Sequence, residues 1–405
     1  MASEATVAIR PLQVASVLQK QLLITLLVLS GPISFALGGG EPEGNAKKGE
    51  KLFLEEFPGV QGNGRSCATC HVPADAFGLT PAHAEDRWQK LQQARATNPK
   101  ADDPLFRSID ADDFNQDFTM LRQHALVRVI IRLPTDADGN KLVWPLDDPS
   151  ADEVKLFRAT PGVRNVAFTA PYQYDGRFAT LQEQAFGALV VHAEIQHNPN
   201  PRFLDDVAAF QKTQFSSIGV KELAAALANG QPPPDPDPPL NDLETLGKTL
   251  FQHHCTPCHG GPKQTTPNPG FELLQDIFVS RPPPPFAGGL PFPDAPPLPV
   301  RLWAIRIPGQ SDPLILPSTD PGKLLISGRA EDFNQFEVPA LFGVGKTAPY
   351  FHDNSAATLE DVLLQYQSLF TAIRRVVPPE VPFPDRPDEL LPEEIVPLVA
   401  YLKKL

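Results

Sequence analysis

The chain uses all four of its cysteines in two copies of one pattern, Cys67-Ala68-Thr69-Cys70-His71 and Cys255-Thr256-Pro257-Cys258-His259. This C-x-x-C-H arrangement is the attachment signature of a c-type haem. Two thiols one helical turn apart reach the two vinyl groups along one porphyrin edge. The histidine that follows swings beneath the iron as its proximal ligand. Three plainer readings compete: two short disulfides, one shared zinc site, or thioredoxin-like redox centres. Disulfide or redox pairs give no reason for a histidine directly after both, and a structural zinc leaves two histidines over-supplied. Two covalently bound haem c groups, with His71 and His259 on their irons, are therefore the expected cofactors.

The pattern belongs to a larger repeat. Thr160 to Asp175, containing Thr169-Ala170-Pro171-Tyr172, recurs at a constant offset of 178 as Val338 to Asp353, containing Thr347-Ala348-Pro349-Tyr350. The match continues through Ala179-Thr180-Leu181 and Ala357-Thr358-Leu359, and Lys48 to Phe53 is echoed by Leu246 to Phe251. A tandem duplication follows, each unit opening with a helix, attaching haem at its end, running through loops and returning through Thr-Ala-Pro-Tyr into another helix. Between the units, Gly230 to Pro239 is Pro-rich and reads as a stiff extended linker. The expected division is an N-terminal haem domain over 37–230, a linker over 231–240 and a C-terminal haem domain over 241–405.

Apolar residues at helical spacing (Leu359, Val362, Leu363, Tyr366, Leu369, Phe370, then Ile395, Leu398, Val399, Leu402) predict two helices in the second unit. Val127 to Leu133 is the only convincing strand-like run. With 47 prolines against 27 glycines, irregular loops and frequent helix stops are expected. Arg281 to Pro299 reads as one such loop on the surface. The predicted fold is mainly α: two tandem cytochrome c-like haem domains with long irregular loops.

Arg10 and Lys20 precede the apolar run Leu22 to Leu29, and Ser34-Phe35-Ala36 offers small residues at cleavage spacing, so residues 1–36 read as a secretory signal. The run breaks at Gly31-Pro32, short of the ~20 residues that span a bilayer, and membrane attachment is expected only if the signal stays uncleaved. Export to the periplasm suits covalently held haem, which an exported protein does not lose. The net charge is -13, and removal of the signal leaves -14. That balance, without a basic cluster, argues against nucleic acid and suits a basic electron-donor protein.

Tyr174-Asp175-Gly176-Arg177 followed by Thr180 to Gly187 resembles the inter-domain signature of the di-haem cytochrome c peroxidase and MauG-type family, and Lys346 to Asp353 resembles its other signature. The likeness covers most of residues 45–405, except about 75 residues between His83 and Leu156. It implies that the N-terminal haem meets peroxide while the C-terminal haem takes up electrons, from a small cytochrome or cupredoxin. Gln184 and Glu194 fall on the family's distal amide and carboxylate, and Glu194 is the candidate proton shuttle for O–O cleavage. The relay between the haems, usually Trp, is here Tyr174.

Sixth ligands depart from the family. Its usual methionine, fourteen residues after the Pro-Tyr-Phe-His histidine, is replaced by Tyr366, the MauG-type arrangement. A tyrosine oxygen there stabilises a high oxidation state; His352 is the rival, giving bis-histidine ligation as in rubber oxygenases. Tyr366 also lies on the apolar stripe of its helix, so a core aromatic is the plain alternative. For the first haem His83, Met120, His124 and His192 are candidates, with an open or weakly closed site preferred from the family. The family's calcium site matches the carbonyls of Thr347 and Pro349, but its Asn is Ala159 here, which leaves calcium an option rather than an expectation.

The resulting reading is an enzyme, an exported peroxidase that reduces hydrogen peroxide at the His71 haem with electrons entering at the His259 haem and crossing by Tyr174. Its alternatives are a MauG-type oxidase or oxygenase of an organic or protein substrate, and a non-catalytic electron-transfer cytochrome with both irons closed.

Overall fold

A computed structural model describes residues 44–55, 57, 59–112, 116–264, 295–376, 379–380 and 387–405. The expected signal at 1–36 and residues 281–294 of the Pro-rich loop lie outside the described residues.

The first helix, α1 (Ala46–Leu54), starts where the Asn45 side chain accepts the Lys48 N–H at 3.0 Å. After the first cysteine pair come α2 (Pro81–Thr97), capped by Thr80, and the short α3 (Thr119–His124). Strands β1 (Leu126–Arg132), β2 (Val143–Pro145) and β3 (Glu153–Ala159) follow, then α4 (Leu181–Val191), α5 (Pro201–Gln211) and α6 (Ile218–Ala228). The second half carries α7 (Asp242–His254), α8 (Thr256–His259), β4 (Arg301–Ile305), β5 (Leu314–Ser318), α9 (Leu324–Ser327), α10 (Leu359–Val376) and α11 (Ile395–Leu402). The two helices predicted from apolar spacing are α10 and α11, and the chain is mainly helical.

The repeat is visible as geometry. In each half the helix before the cysteines crosses a later helix at a glycine. A Cβ on Gly49 would lie 1.8 Å from the Asp206 carbonyl oxygen on α5, and one on Gly247 would lie 2.0 Å from that of Pro397 on α11. Only glycine lets the backbones approach so closely. At the offset of 178, cis peptides at Ala170-Pro171 and Ala348-Pro349 correspond. So do hydrogen bonds from the Tyr172 hydroxyl to the Val166 carbonyl and from the Tyr350 hydroxyl to the Val344 carbonyl, both 3.0 Å. Then α4 begins at Leu181 behind a Thr180–Glu183 capping box, and α10 at Leu359, where the Thr358 hydroxyl accepts the Asp361 N–H.

Each half packs its own apolar cluster: Phe53, Phe77, Val207 and Phe210 in the first, Phe251, Leu363, Leu398 and Tyr401 in the second. A fully buried side chain such as Phe53 or Leu398 contributes about 1.5–3 kcal/mol.

The sheet content corrects the sequence reading. The predicted run overlaps β1 from Val127 to Arg132, but β1 pairs antiparallel with β3, Leu126 opposite Ala159 through Arg132 opposite Glu153. A second sheet has the order β2-β4-β5, so a strand from the first half is bound into the second. Trp303 on β4 is fully buried, and its indole N–H donates to the Ser318 carbonyl at 3.1 Å. These strands are short, and β2 and β5 contain proline, so their pattern is too brief to read without the partner strand.

The Pro-rich linker has no regular structure but is held in place. Lys248 Nζ lies 3.1 Å from Asp235 and 2.8 Å from Asp237, and the Tyr401 hydroxyl donates to Asp237 at 3.0 Å. From Glu43 to Leu405 the chain packs as one unit. Among the described residues no helix is long and apolar enough to cross a membrane.

Candidate functional site

Both C-x-x-C-H motifs form one tight turn: the His71 N–H donates to the Cys67 carbonyl at 2.9 Å, and the His259 N–H to that of Cys255 at 2.7 Å. All four thiols are free. Burial pushes Cys67 and Cys255 up to about 12, so both are protonated thiols near neutral pH. His71 Nδ1 lies 3.1 Å from the Phe77 carbonyl oxygen and His259 Nδ1 lies 3.2 Å from that of Gln264. A nitrogen facing a carbonyl must carry the proton, which leaves Nε2 as the acceptor on each ring. Burial lowers both imidazoles, His259 to about 4, while the carbonyls of Pro161 and Pro339, equivalent in the repeat, act in the opposite sense. Neutral imidazole is the metal-binding form.

Two cavities meet at these motifs. The smaller, about 90 Å3, is walled by Cys67, Cys70, His71, Gln184, His192 and Tyr174, with Arg158 and β1 behind. The larger, about 500 Å3, runs from His71 to Cys255, Cys258 and His259, within the ~300–1,000 Å3 range of cofactor pockets. His71, Tyr174 and Gln184 line both. So do Thr160 and Gln211, whose Oγ1 and Oε1 are buried without a hydrogen-bond partner. Orphaned acceptors in a wall are costly unless a bound group meets them. Free thiol pairs, imidazoles with Nε2 available and unpartnered polar atoms together fit a tetrapyrrole at each motif.

Of the candidates opposite His71, the structure brings His192 and Gln184 to the cavity. Gln184 lies on α4 and His192 caps its end, where the His192 carbonyl accepts from Asn63 Nδ2 at 3.0 Å and Arg65 Nη1 at 3.2 Å. Glu194 lines neither cavity; it has left-handed backbone, φ 50°, and its carboxylate accepts from Asn63 Nδ2 at 2.9 Å. His83 Nδ1 faces Asp75 at 3.6 Å, Met120 is the second residue of α3, and the His124 carbonyl accepts from Asn354; none of the three lines a cavity.

Sequence reading missed Arg65. Its guanidinium is buried and donates to the Asp110 carboxylate at 2.6 Å and to the carbonyls of Pro104 and Leu105. Burial works against its charge, and Asp110 outweighs it. Thus part of the extra region between His83 and Leu156 is bolted to the residue two before Cys67. No local pattern marks that pairing, because Asp110 lies 45 positions further on.

At the second site Tyr366 lines the larger cavity, and burial together with the Cys255 and Cys258 sulfurs pushes its hydroxyl above the ordinary range. His352 also lines it, but stacks on Phe336 with centroids 4.0 Å apart, and its Nε2 lies 4.0 Å from Asp320. Tyr174 is raised as well, by burial and then Asp353, against Arg158. Beside it is a buried cluster that sequence reading also missed: Arg158 donates to Asp320 through Nε at 2.6 Å and to Asp175 through Nη1 at 2.6 Å. At the calcium position, Ala159 has no side-chain oxygen and its N–H donates to the His352 carbonyl at 2.7 Å. Among the described residues no three His, Cys, Asp or Glu side chains gather as a metal site of their own.

Residues 44–228, from α1 through α6, match the model of the di-haem cytochrome c peroxidase family. That part of the chain is similar to the family. The match supports an oxidoreductase, and the matched family implies haem c as cofactor. No curated protein sequence matches it. Among solved structures, it is similar to a MauG-like protein associated with microbial copper homeostasis (18% identity, 91% of each chain covered, TM-score 0.47). It is also similar to a variant of the diheme peroxidase BthA from Burkholderia thailandensis (17%, 89% of this chain and 85% of that one, TM-score 0.41). A third is the hydrazine synthase of Kuenenia stuttgartiensis (16%, 71% and 86%, TM-score 0.34).

Proposed function

We propose that this protein is an exported two-haem c-type cytochrome of the di-haem peroxidase kind that reduces hydrogen peroxide at the N-terminal site, in 37–230, with electrons delivered through the C-terminal site, in 241–405. The observation that carries this reading is the common wall: Tyr174 and Gln184 line both cavities, and each cavity reaches an imidazole with Nε2 available. Haem, when bound, supplies the redox-active iron that stores electrons and activates oxygen.

The chain's own residues do the rest. Cys67 and Cys70, then Cys255 and Cys258, would tether a haem at each site, and His71 and His259 would hold its iron. Gln184 offers an amide to orient peroxide. The turn from His192 to Glu194, fixed by Asn63 and Arg65, carries the proton that O–O cleavage requires. Tyr174, deprived of solvent and beside the Arg158 cluster, relays the electron with loss of its phenolic proton. The donor is a small basic cytochrome or cupredoxin, attracted by the acidic surface. Mixing haem-loaded protein with a reduced donor and peroxide tests this reading: donor oxidation that depends on peroxide supports it, and none contradicts it. Glu194→Gln should leave the haem spectra intact while slowing turnover.

Tyr366 beside the Cys255–Cys258 pair favours a second reading, a MauG-type oxidase of an organic or protein substrate. It gains if peroxide is consumed only when such a substrate is present.

A further inference from the structure

We infer that His192 is the catalytic proton carrier at the first site, and that Glu194 is a positioning residue behind it. The inference deepens the proposed peroxidase reading and rests on it.

Four observations carry it. First, of the four ligand candidates in this half, His192 alone lines a cavity, and it is the cavity that holds Cys67, Cys70 and His71. Second, its ring makes no hydrogen bond among the described residues, so both nitrogens are available to a molecule entering the cavity. Third, its backbone is fixed: two donors, Asn63 and Arg65, hold its carbonyl, and Arg65 is itself bound to Asp110. Fourth, the Glu194 carboxylate is engaged by Asn63 and lies outside both cavity walls. Burial, with the charges of Arg65, Arg177 and His71, lowers His192 to about 4, against Asp110.

Peroxide reduction consumes one peroxide, two protons and two electrons and yields two waters. In the step assigned here, His192 accepts the proton from one peroxide oxygen and returns it to the other as the O–O bond breaks, releasing the first water with no net change at the imidazole. The two electrons come from the reduced donor protein through the second site, and the second water takes its protons from solvent.

Cyanide tests this with a readout other than turnover, because it enters at neutral pH largely as HCN and must give up its proton to bind iron. In the two-haem protein, His192→Gln and His192→Asn should each slow cyanide association and peroxide turnover about 100-fold or more, with the oxidised visible spectrum unchanged. Glu194→Gln should slow cyanide association far less. Rates within twofold of wild type in both His192 variants overturn the inference. So does a low-spin to high-spin change, which would make His192 an iron ligand, or loss of haem from both variants, which would make it structural. Wild-type protein that binds cyanide rapidly but does not turn over peroxide removes the peroxidase reading and leaves the cyanide comparison to decide His192.

Discussion

The Tyr174 and His352 rings meet edge to face, with centroids 6.2 Å apart and planes at 70°. His352 stacks in turn on Phe336, so an unbroken run of rings joins the shared wall to the second half of the chain. Replacing Tyr174 by Phe keeps the ring contact and removes the phenol. If the phenol relays electrons, Tyr174→Phe lowers peroxide turnover at least about tenfold, near 1.4 kcal/mol in barrier, with haem content unchanged. Tyr174→Trp, which restores an oxidisable ring, retains most of the activity. Stopped-flow turnover of the three proteins checks this.

The buried Arg158 cluster governs stability with a defined pH sign. Burial alone would raise Asp175 and Asp320, but Arg158, with Arg177 on Asp175, holds both below the ordinary 3.8. Their contribution is therefore fully present above that value and lost as pH falls through the depressed pKa values. Arg158→Met strands the buried Asp320 carboxylate, while Asp175 keeps Arg177 at 2.8 Å, and costs about 3–5 kcal/mol at pH 7. Burial then prevails at Asp320, whose carboxyl rises, so the variant's deficit shrinks as pH falls from 7 toward 4. Urea unfolding at several pH values measures it.

Gly247→Ala would put a methyl 2.0 Å from the Pro397 carbonyl oxygen and force α7 from α11. A loss of about 1–3 kcal/mol or more is expected, with the spectrum of the second haem disturbed before that of the first. Gly49→Ala should do the reverse. Thermal melts followed in the visible bands separate the two.

Tyr366→Phe removes the hydroxyl next to the second thiol pair. Electron paramagnetic resonance of the oxidised protein should then change in one haem signal only, while His352→Gln leaves that signal in place and destabilises the protein through the Asp320 cluster.

The duplication, the cysteine patterns and the helices α10 and α11 were legible because each is a local or periodic signal. Tyr174 and Gln184 came from a resemblance in one short segment, and both line the cavities. What stayed hidden is what depends on distant partners. Strand β3 reads Glu153-Val154-Lys155-Leu156, an alternation that acquires meaning only opposite β1, and β2 finds β4 more than 150 residues away. Arg65 with Asp110, and Arg158 with Asp320, are surface-type residues in any sequence window and are buried only because their counter-charges arrive from elsewhere. For the same reason four ligand candidates stood level in the sequence, while the fold brings His192 alone to the cavity wall.

Intact mass of protein matured in a haem-loading host, after acid-acetone extraction, tests the central claim most directly. Two retained haem masses, one each on the tryptic peptides containing Cys67–Cys70 and Cys255–Cys258, are predicted. A mass short of two haems, or colour that leaves with the solvent, would contradict it.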